Sequence, residues 1–508
     1  MLIRNTVANL AGQLLYPLLA LALVPFYLRR LGLEGYGLIG LMALVVSLLS
    51  VFSRGLGSAL QREVSRRAGS PTAGTLRQLL RSMEVLYWIL GAALAASVAC
   101  LALTLGPRWV KAETLPLDTI TMCLLLLALR VGISFPHSVY QSVFIGTERQ
   151  VLGSALNAGL GLTAAAGGVL AVLVFGSVVA VYASEAIVST AYLAIFRVSA
   201  FRVLPPGASR VDSGEIRGLT GLSIALMWTS GVGLLLSTLD RVFVSAALPV
   251  ASLAVYTVAV MGGRVITLFV NPVLQAVYPG MCRAAFGSPE EQGQHLLHNA
   301  ALIILVAAGV GVPLCGFAGE ALTLWVADDA IVRSGTRVMS VYIVGGMLIA
   351  FASVFYQWQT ATGRTGPAVT FNAVALLWFP LLLWILVSRV GLVGAAIAWT
   401  IYGALAWLTI VATSFGRGRL PRTVMHGYFR AGAAGLAPAV LATLVARFLA
   451  DTWFTDDIWA RSACGVVAGA IGAAAAAGIL LPHLRLGAVP PLDTATALQP
   501  ELPGGGLQ

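Results

Sequence analysis

The most restrictive feature of the chain is a succession of about fourteen apolar runs, each close to twenty residues long. They cover residues 8–28, 37–59, 85–105, 119–145, 152–174, 177–196, 219–239, 251–280, 297–318, 335–361, 367–387, 391–413, 430–449 and 463–482. A helix needs about 20 predominantly apolar residues to cross the hydrocarbon of a bilayer. In hydrocarbon every backbone N–H and C=O must find a partner within the protein, and a helix supplies those partners within one segment. The runs therefore predict an all-α polytopic membrane protein with about 14 transmembrane helices; merged or divided runs would give twelve or thirteen. The longest connections, 60–84, 197–218 and 281–296, leave no room for a soluble domain. The Pro/Gly-rich stretch from 483 reads as a disordered tail. No small-residue cleavage site follows the first apolar core, so residues 10–28 read as a retained helix rather than a signal peptide.

Composition closes off the soluble classes. Hydrophobic residues make up 58% of the chain and charged residues 10%, with a mean hydropathy of +0.90. A soluble domain carries about 25% charge. The net charge of +11 comes without any Lys/Arg-rich block or basic helix, which sets nucleic-acid binding aside. Position explains the excess better. The N-terminus, every second connection and the tail hold 18 basic residues, against 10 in the other connections, with Arg54, Arg130 and Arg264 inside the runs. Short cytoplasmic loops are enriched in Lys and Arg. The bias predicts a multi-pass protein of the cytoplasmic membrane with both termini in the cytoplasm.

The motifs of soluble catalysis are missing from the sequence. It contains no GxxxxGK[ST] phosphate loop, no HExxH, no GxSxG and no acidic pair in a sizeable loop. The five cysteines are far apart, without CxxC or Cys/His ligand spacing, so neither a metal site nor a disulfide framework is expected. The expectation is a non-enzyme without cofactor or metal. Internal similarity points instead to duplication. Leu31-Gly32-Leu33-Glu34-Gly35-Tyr36-Gly37 after the first run resembles Leu248 to Tyr256 after the seventh, at an offset of about 220. An even number of intervening helices implies parallel repeats. Two pseudo-symmetric six-helix lobes around a central cavity are expected, at 1–200 and 201–415. Two further helices at 416–482 and the cytoplasmic tail 483–508 complete the expected organisation.

Several runs carry polar residues at three- and four-residue spacing, which places them on one helical face. Run two has Ser47, Ser50, Arg54 and Ser58; run four has Arg130, Ser134, Ser138 and Gln141, with His137 beside them. Run six has Tyr182, Glu185, Ser189 and Tyr192, and run eight has Arg264, Thr267, Asn271, Gln275 and Tyr278. An arginine at mid-membrane costs about 2.5–3.5 kcal/mol on insertion scales. Three of them imply water, an anion or a carboxylate nearby. A guanidinium bonds two phosphate oxygens at once and stays protonated, so a cationic cavity suits a phosphorylated substrate. Arg54, Arg130, Arg264, Asn271, Gln275 and Gln141 are the candidate cavity residues. Glu185 is a salt-bridge partner or an ion-coupling site. Asp240, another coupling candidate, reads with Arg241 as the end of the seventh helix at the outer surface.

Three segments resemble the polysaccharide-transport branch of the multidrug/oligosaccharidyl-lipid/polysaccharide exporter superfamily, that is, Wzx-type flippases. They are Asn9 through Pro25-Phe26-Tyr27-Leu28-Arg29-Arg30 to Gly37; Gly55 through Gln61-Arg62-Glu63 to Arg66; and Leu239-Asp240-Arg241-Val242 leading to Val255-Tyr256-Thr257. The pattern extends over about residues 1–480. The resemblance implies two lobes around a cavity that opens alternately to either side. It also implies carriage of an undecaprenyl-pyrophosphate-linked oligosaccharide to the outer leaflet, with cationic residues on the pyrophosphate. Polysaccharide polymerases or glycosyltransferases are the implied protein partners, and membrane lipids the surroundings. A cation-coupled multidrug exporter of the same superfamily ranks lower, because arginines outnumber carboxylates inside the runs. A membrane glycosyltransferase or ligase would show an acidic catalytic loop, and a non-transporting scaffold would leave the intramembrane charges without a purpose.

Overall fold

The computed structural model describes residues 2–68, 71–207, 210–285, 287–415, 420–455 and 457–485. The side chains of 2–17, 51–56, 71, 107–108, 218–230 and 482–485 lie outside the description. The helices are α1 (Leu2–Ala68), α2 (Leu76–Thr104), α3 (Gly106–Trp109), α4 (Leu117–Gly146), α5 (Gln150–Phe175) and α6 (Val178–Val203). There follow α7 (Ser213–Ala247), α8 (Val250–Gly263), α9 (Val265–Ala284), α10 (Pro289–Val306), α11 (Val312–Gly316) and α12 (Ala318–Val326). The chain ends with α13 (Asp329–Ala361), α14 (Gly366–Val390), α15 (Leu392–Ser414), α16 (Arg422–Trp453) and α17 (Ile458–Arg485). Among the described residues the β-type pairing is one isolated bridge, Phe415 with Leu420. The chain is all-α.

Every predicted run falls on a helix, and three run boundaries differ from expectation. The first two runs share α1, which is kinked at Gly32 (φ 70°, ψ 179°). A side chain at positive φ is strained and glycine is not, so the LGLEG turn is built into the sequence. The eighth run divides at Arg264 into α8 and α9. The seventh continues past Asp240–Arg241 to Ala247, so that dipeptide does not end the helix. Its partners lie inside the protein, and Val242 to Ala247 extends the helix beyond it. Among the described residues, twelve helical stretches are long and apolar enough to cross a membrane by length and composition. One of them, Leu18–Ser50, straddles the Gly32 kink; α7, with side chains 218–230 undescribed, is not among the twelve.

Caps set several boundaries. Ser177, Asp212 and Asp328 each accept a backbone N–H at the start of α6, α7 and α13. Ser288 and Glu291 form a reciprocal capping box at α10. Gly176 ends α5 in the left-handed conformation.

The apolar cores reveal the architecture. Call the end carrying 62–68, 71–75, 203–207, 210–213, 287–289 and 420–421 the basic end, and the other the opposite end. Toward the opposite end one continuous core joins residues of the first and second halves. Val24, Leu38, Leu127 and Tyr182 belong to it together with Leu236, Tyr256, Val338 and Phe379. Toward the basic end the core divides. One part holds Leu60, Leu80, Tyr140, Phe144 and Phe196, and the other holds Ile266, Leu274, Ile303, Phe355 and Tyr428. The halves are thus fused at one end and packed separately at the other.

Helices α16 and α17 pack on each other and on the α10–α11 stretch. There a π-turn at Ala307–Gly311 brings the Gly309 carbonyl beside Gly469. A Cβ at Gly469 would lie 2.6 Å from that oxygen, so glycine is required for the close approach.

Candidate functional site

Two groups of charged side chains are built inside the helical body. In the first half, α4 presents Arg130 and α6 presents Glu185. Arg130 Nε donates to Glu185 Oε2 at 3.4 Å, with the side chains 21% and 17% exposed. Charge-assisted N–H···O bonds usually run about 2.7–2.9 Å. The contact is therefore long, and both partners can be reached. Glu185 also lines a cavity of about 150 Å³ between α1, α5, α6 and α8. Tyr27, Tyr36, Thr257 and Met261 share that lining. Tyr36 donates to Met261 Sδ at 3.5 Å, and the buried Thr257 Oγ1 has no hydrogen-bond partner. Residues from both halves meet here.

In the second half, Asp240 of α7 is fully buried and accepts a hydrogen bond from Tyr256 at 2.8 Å. Its Oδ1 has no partner. Arg264, at the α8–α9 joint, donates from Nε to Tyr342 Oη at 3.1 Å and from Nη2 to the Ser237 carbonyl at 3.2 Å. Arg241 lies within electrostatic reach of Arg264, Asp240 and both tyrosines, and its Nε is buried without a partner. A buried carboxylate beside two guanidinium groups neutralises part of a charge that hydrocarbon would otherwise penalise. Asp240 is enclosed, while Arg241 and Arg264 are half-buried around it.

The candidate cavity residues do not converge on one point. Arg130 meets the inter-half cavity through Glu185. Gln141 lies eleven residues along α4, about 16 Å away at 1.5 Å per residue; it is half-buried and its Oε1 has no partner. Asn271 and Gln275 are exposed on α9, beyond Arg264 toward the basic end. Arg54 is on α1, and its side chain lies outside the description. His137 packs edge-on against Phe196 at 4.2 Å, as a helix-packing histidine would.

The opposite end is closed by direct contacts between the halves. The Val250 N–H donates to the Lys111 carbonyl and Lys111 Nζ donates to the Ala247 carbonyl, both at 3.0 Å. Trp109 Nε1 reaches Ser245 Oγ at 3.3 Å, and Trp325 Nε1 reaches the Leu21 carbonyl at 2.8 Å. Glu34 accepts the backbone N–H groups of Glu113, Thr114 and Leu115, which fixes this connection against the Gly32 kink. Gly37 lies so close to α8 that a Cβ there would stand 2.3 Å from the Val250 carbonyl.

Two buried carboxylates escaped the sequence reading. Glu84 accepts from Tyr140 at 2.6 Å and from Arg81 and Arg197, each at 2.5 Å. Glu320 accepts from Arg447 at 2.6 Å and from Arg461 at 2.8 Å, which ties α16 and α17 to α12. Both lie in connections of the predicted layout. The Arg81–Glu84 spacing of three was the available signal; the other partners are 56 to 141 residues distant in sequence.

The profile of the family described as polysaccharide biosynthesis protein matches residues 2–285, more than half of the chain. A Shigella flexneri protein that carries the description O-antigen transporter is 22% identical over 424 residues, 79% of this chain and 94% of that protein. Among solved structures, the lipid II flippase MurJ in an inward closed conformation superposes with a TM-score of 0.75 at 14% identity. That match covers 94% of this chain and all of MurJ. An inward-facing multidrug-resistance MATE transporter of the MOP superfamily superposes at 0.63, also at 14% identity, over 84% and 98% of the two chains. Helix order, the fused and divided cores, the profile match and these superpositions agree: the chain is a membrane protein of the polysaccharide biosynthesis family with the fold of the MOP exporters.

Proposed function

We propose that the protein is a flippase that carries an undecaprenyl-pyrophosphate-linked oligosaccharide from the cytoplasmic to the outer leaflet by alternating access. The observation that carries the reading is the Arg130–Glu185 pair beside the inter-half cavity. Its long contact and partial exposure leave guanidinium donors for an arriving pyrophosphate, while Glu185 holds the arginine in place when no substrate is bound. Arginine's planar fork fits phosphate oxygens. A hydrated cleft between the divided cores would admit the sugar head, and the prenyl tail would remain in lipid. The exposed Asn271 and Gln275 on α9 suit such a cleft, since amide side chains facing hydrocarbon would be costly.

In this reading the lobes are 1–200 and 201–415, the basic end faces the cytoplasm, and both termini lie there. Glu185 is the better candidate for coupling to an ion because it is accessible; Asp240 is enclosed. Arg54 belongs to the proposed binding set through its place on the helical face of Ser50 and Ser58. Polysaccharide polymerases or glycosyltransferases supply and consume the substrate. The description of the Shigella relative and the flippase identity of MurJ support the assignment of a lipid-linked saccharide as cargo.

The test is reconstitution of the purified chain in vesicles with a labelled pyrophosphate-linked saccharide lipid, and in parallel with a cationic dye. Delivery of the saccharide lipid to the far leaflet without dye export is the expected result. Dye export alone would favour the multidrug alternative and sink the proposal.

A further inference from the structure

A separate cluster of arginines lies away from the cavity, where Glu84 of α2 is held by arginines of α2 and α6 at the basic end. Glu84 is 1% exposed and holds two guanidinium groups, Arg81 through Nη1 and Arg197 through Nε. The arginine side chains themselves are 39% and 46% exposed. A guanidinium has five N–H donors, so each arginine is fixed by its carboxylate while further donors face outward. Arg197 is also laid over the Phe201 ring at 5.2 Å. Arg77 joins the two helices by donating to the Phe201 and Leu204 carbonyls, and Arg202 is exposed in the last turn of α6. The nearby carboxylates, Glu84 and Asp212, are already engaged; Asp212 caps α7 and accepts from Gln78. Four arginines against two carboxylates leave a local charge of +2.

The surroundings identify the partner. Trp88 lies seven residues beyond Arg81 on the same helical face, and both it and Ile89 are exposed. On α6, Ile195 and Val198 flank Arg197 and are exposed as well. Exposed apolar side chains on a membrane helix face acyl chains. The arginines thus stand at the headgroup level, above a lipid-facing surface. Basic pockets between helices at this level bind the headgroups of anionic lipids.

We infer that the Arg81–Glu84–Arg197 cluster binds the phosphate of an anionic glycerophospholipid in the leaflet at the basic end, with Arg81 and Arg197 as its ligands. The site is separate from the cavity and independent of the cargo.

The full-length protein in nanodiscs of equimolar phosphatidylcholine and phosphatidylglycerol provides the test, with retained lipids counted by native mass spectrometry. At least threefold enrichment of phosphatidylglycerol is expected, falling by half or more in Arg81→Gln. Because that change leaves Glu84 less well paired, the neutral triple variant Arg81→Gln/Glu84→Gln/Arg197→Gln is measured alongside it, and it should lose the enrichment while remaining folded. Equal retention of the two phospholipids by the parent would overturn the inference, as would parental enrichment in the folded triple variant. Full displacement of phosphatidylglycerol by geranylgeranyl pyrophosphate at equal mole fraction would also overturn it, by assigning the arginine cluster to a prenyl lipid.

Discussion

Arg130 with Glu185 and Arg264 near Asp240 both set an arginine against a carboxylate inside the same membrane protein, and their settings differ. The first pair is partly exposed, touches at 3.4 Å and borders a cavity shared by both halves. The second belongs to a group in which the carboxylate is fully buried and tyrosine hydroxyls take part. Charge in hydrocarbon is costly in either place. Exposure decides what the charge can do. A partly exposed pair exchanges partners at a smaller cost than an enclosed one, the exposed limit being about 0–1 kcal/mol. A buried group whose hydrogen bonds are internal resists exchange, and loss of one member leaves the others uncompensated. The accessible pair is suited to cargo, and the enclosed one to holding α7, α8 and α13 together.

The largest expected effect comes from breaking the enclosed group. Asp240→Ala leaves the Tyr256 hydroxyl buried without its acceptor and removes the negative charge beside Arg241 and Arg264. A loss of about 3 kcal/mol is expected, read as a lowered thermal midpoint in nanodiscs. A loss below about 1 kcal/mol would erase the distinction between the two groups.

Two tyrosines, Tyr36 and Tyr256, sharpen the same contrast. Tyr256→Phe removes the hydrogen bond to Asp240 and should cost about 1.5–2 kcal/mol, as bonds to charged groups do. Tyr36→Phe removes a contact to the Met261 sulfur, a weak acceptor, and should cost less than about 0.5 kcal/mol. Equal losses from the two substitutions would mean that the buried charge of Asp240 does not set the contribution of Tyr256.

The smallest effect belongs to an ion cluster outside the spans, where Glu63 meets Arg66 and Arg67, and Arg67 continues to Glu215. The hydrogen bond from Arg66, joined by Arg67 against an opposing burial effect, lowers the Glu63 pKa to about 2. An unfolded glutamate titrates near 4.3. A lowered carboxylate pKa stabilises the fold fully above the unfolded value, and the contribution is lost as pH falls toward 2. Between pH 6 and 3 the parent should therefore lose slightly more stability than Glu63→Gln. Identical slopes would remove Glu63 from the cluster's energetics.

Much of this organisation is legible in the sequence, because hydrocarbon imposes length and polarity rules on each helix separately. All the apolar runs became helices, and Gly32 within LGLEGYG marks the first kink. Contacts between distant segments were not legible. Asp240–Arg241 resembles a helix end when read locally, yet α7 continues because Tyr256 and the Arg264 region absorb the charges within the protein. Glu84 and Glu320 resemble surface charges until arginines from α6, α16 and α17 arrive. The Arg130–Glu185 partnership was available as one reading of two polar helical faces; its distance, exposure and cavity emerge only when α4 and α6 pack together.

The contrast assigns the partly exposed Arg130 to the cargo and the group around the enclosed Asp240 to the fold. Far-leaflet delivery of a pyrophosphate-linked saccharide lipid, measured in vesicles for the parent and for Arg130→Ala, tests it most directly. The account predicts at least a tenfold loss of delivery, about 1.4 kcal/mol in free-energy terms, at unchanged protein level and with less than about 1 kcal/mol lost in stability. Parental delivery by a folded Arg130→Ala protein would contradict it.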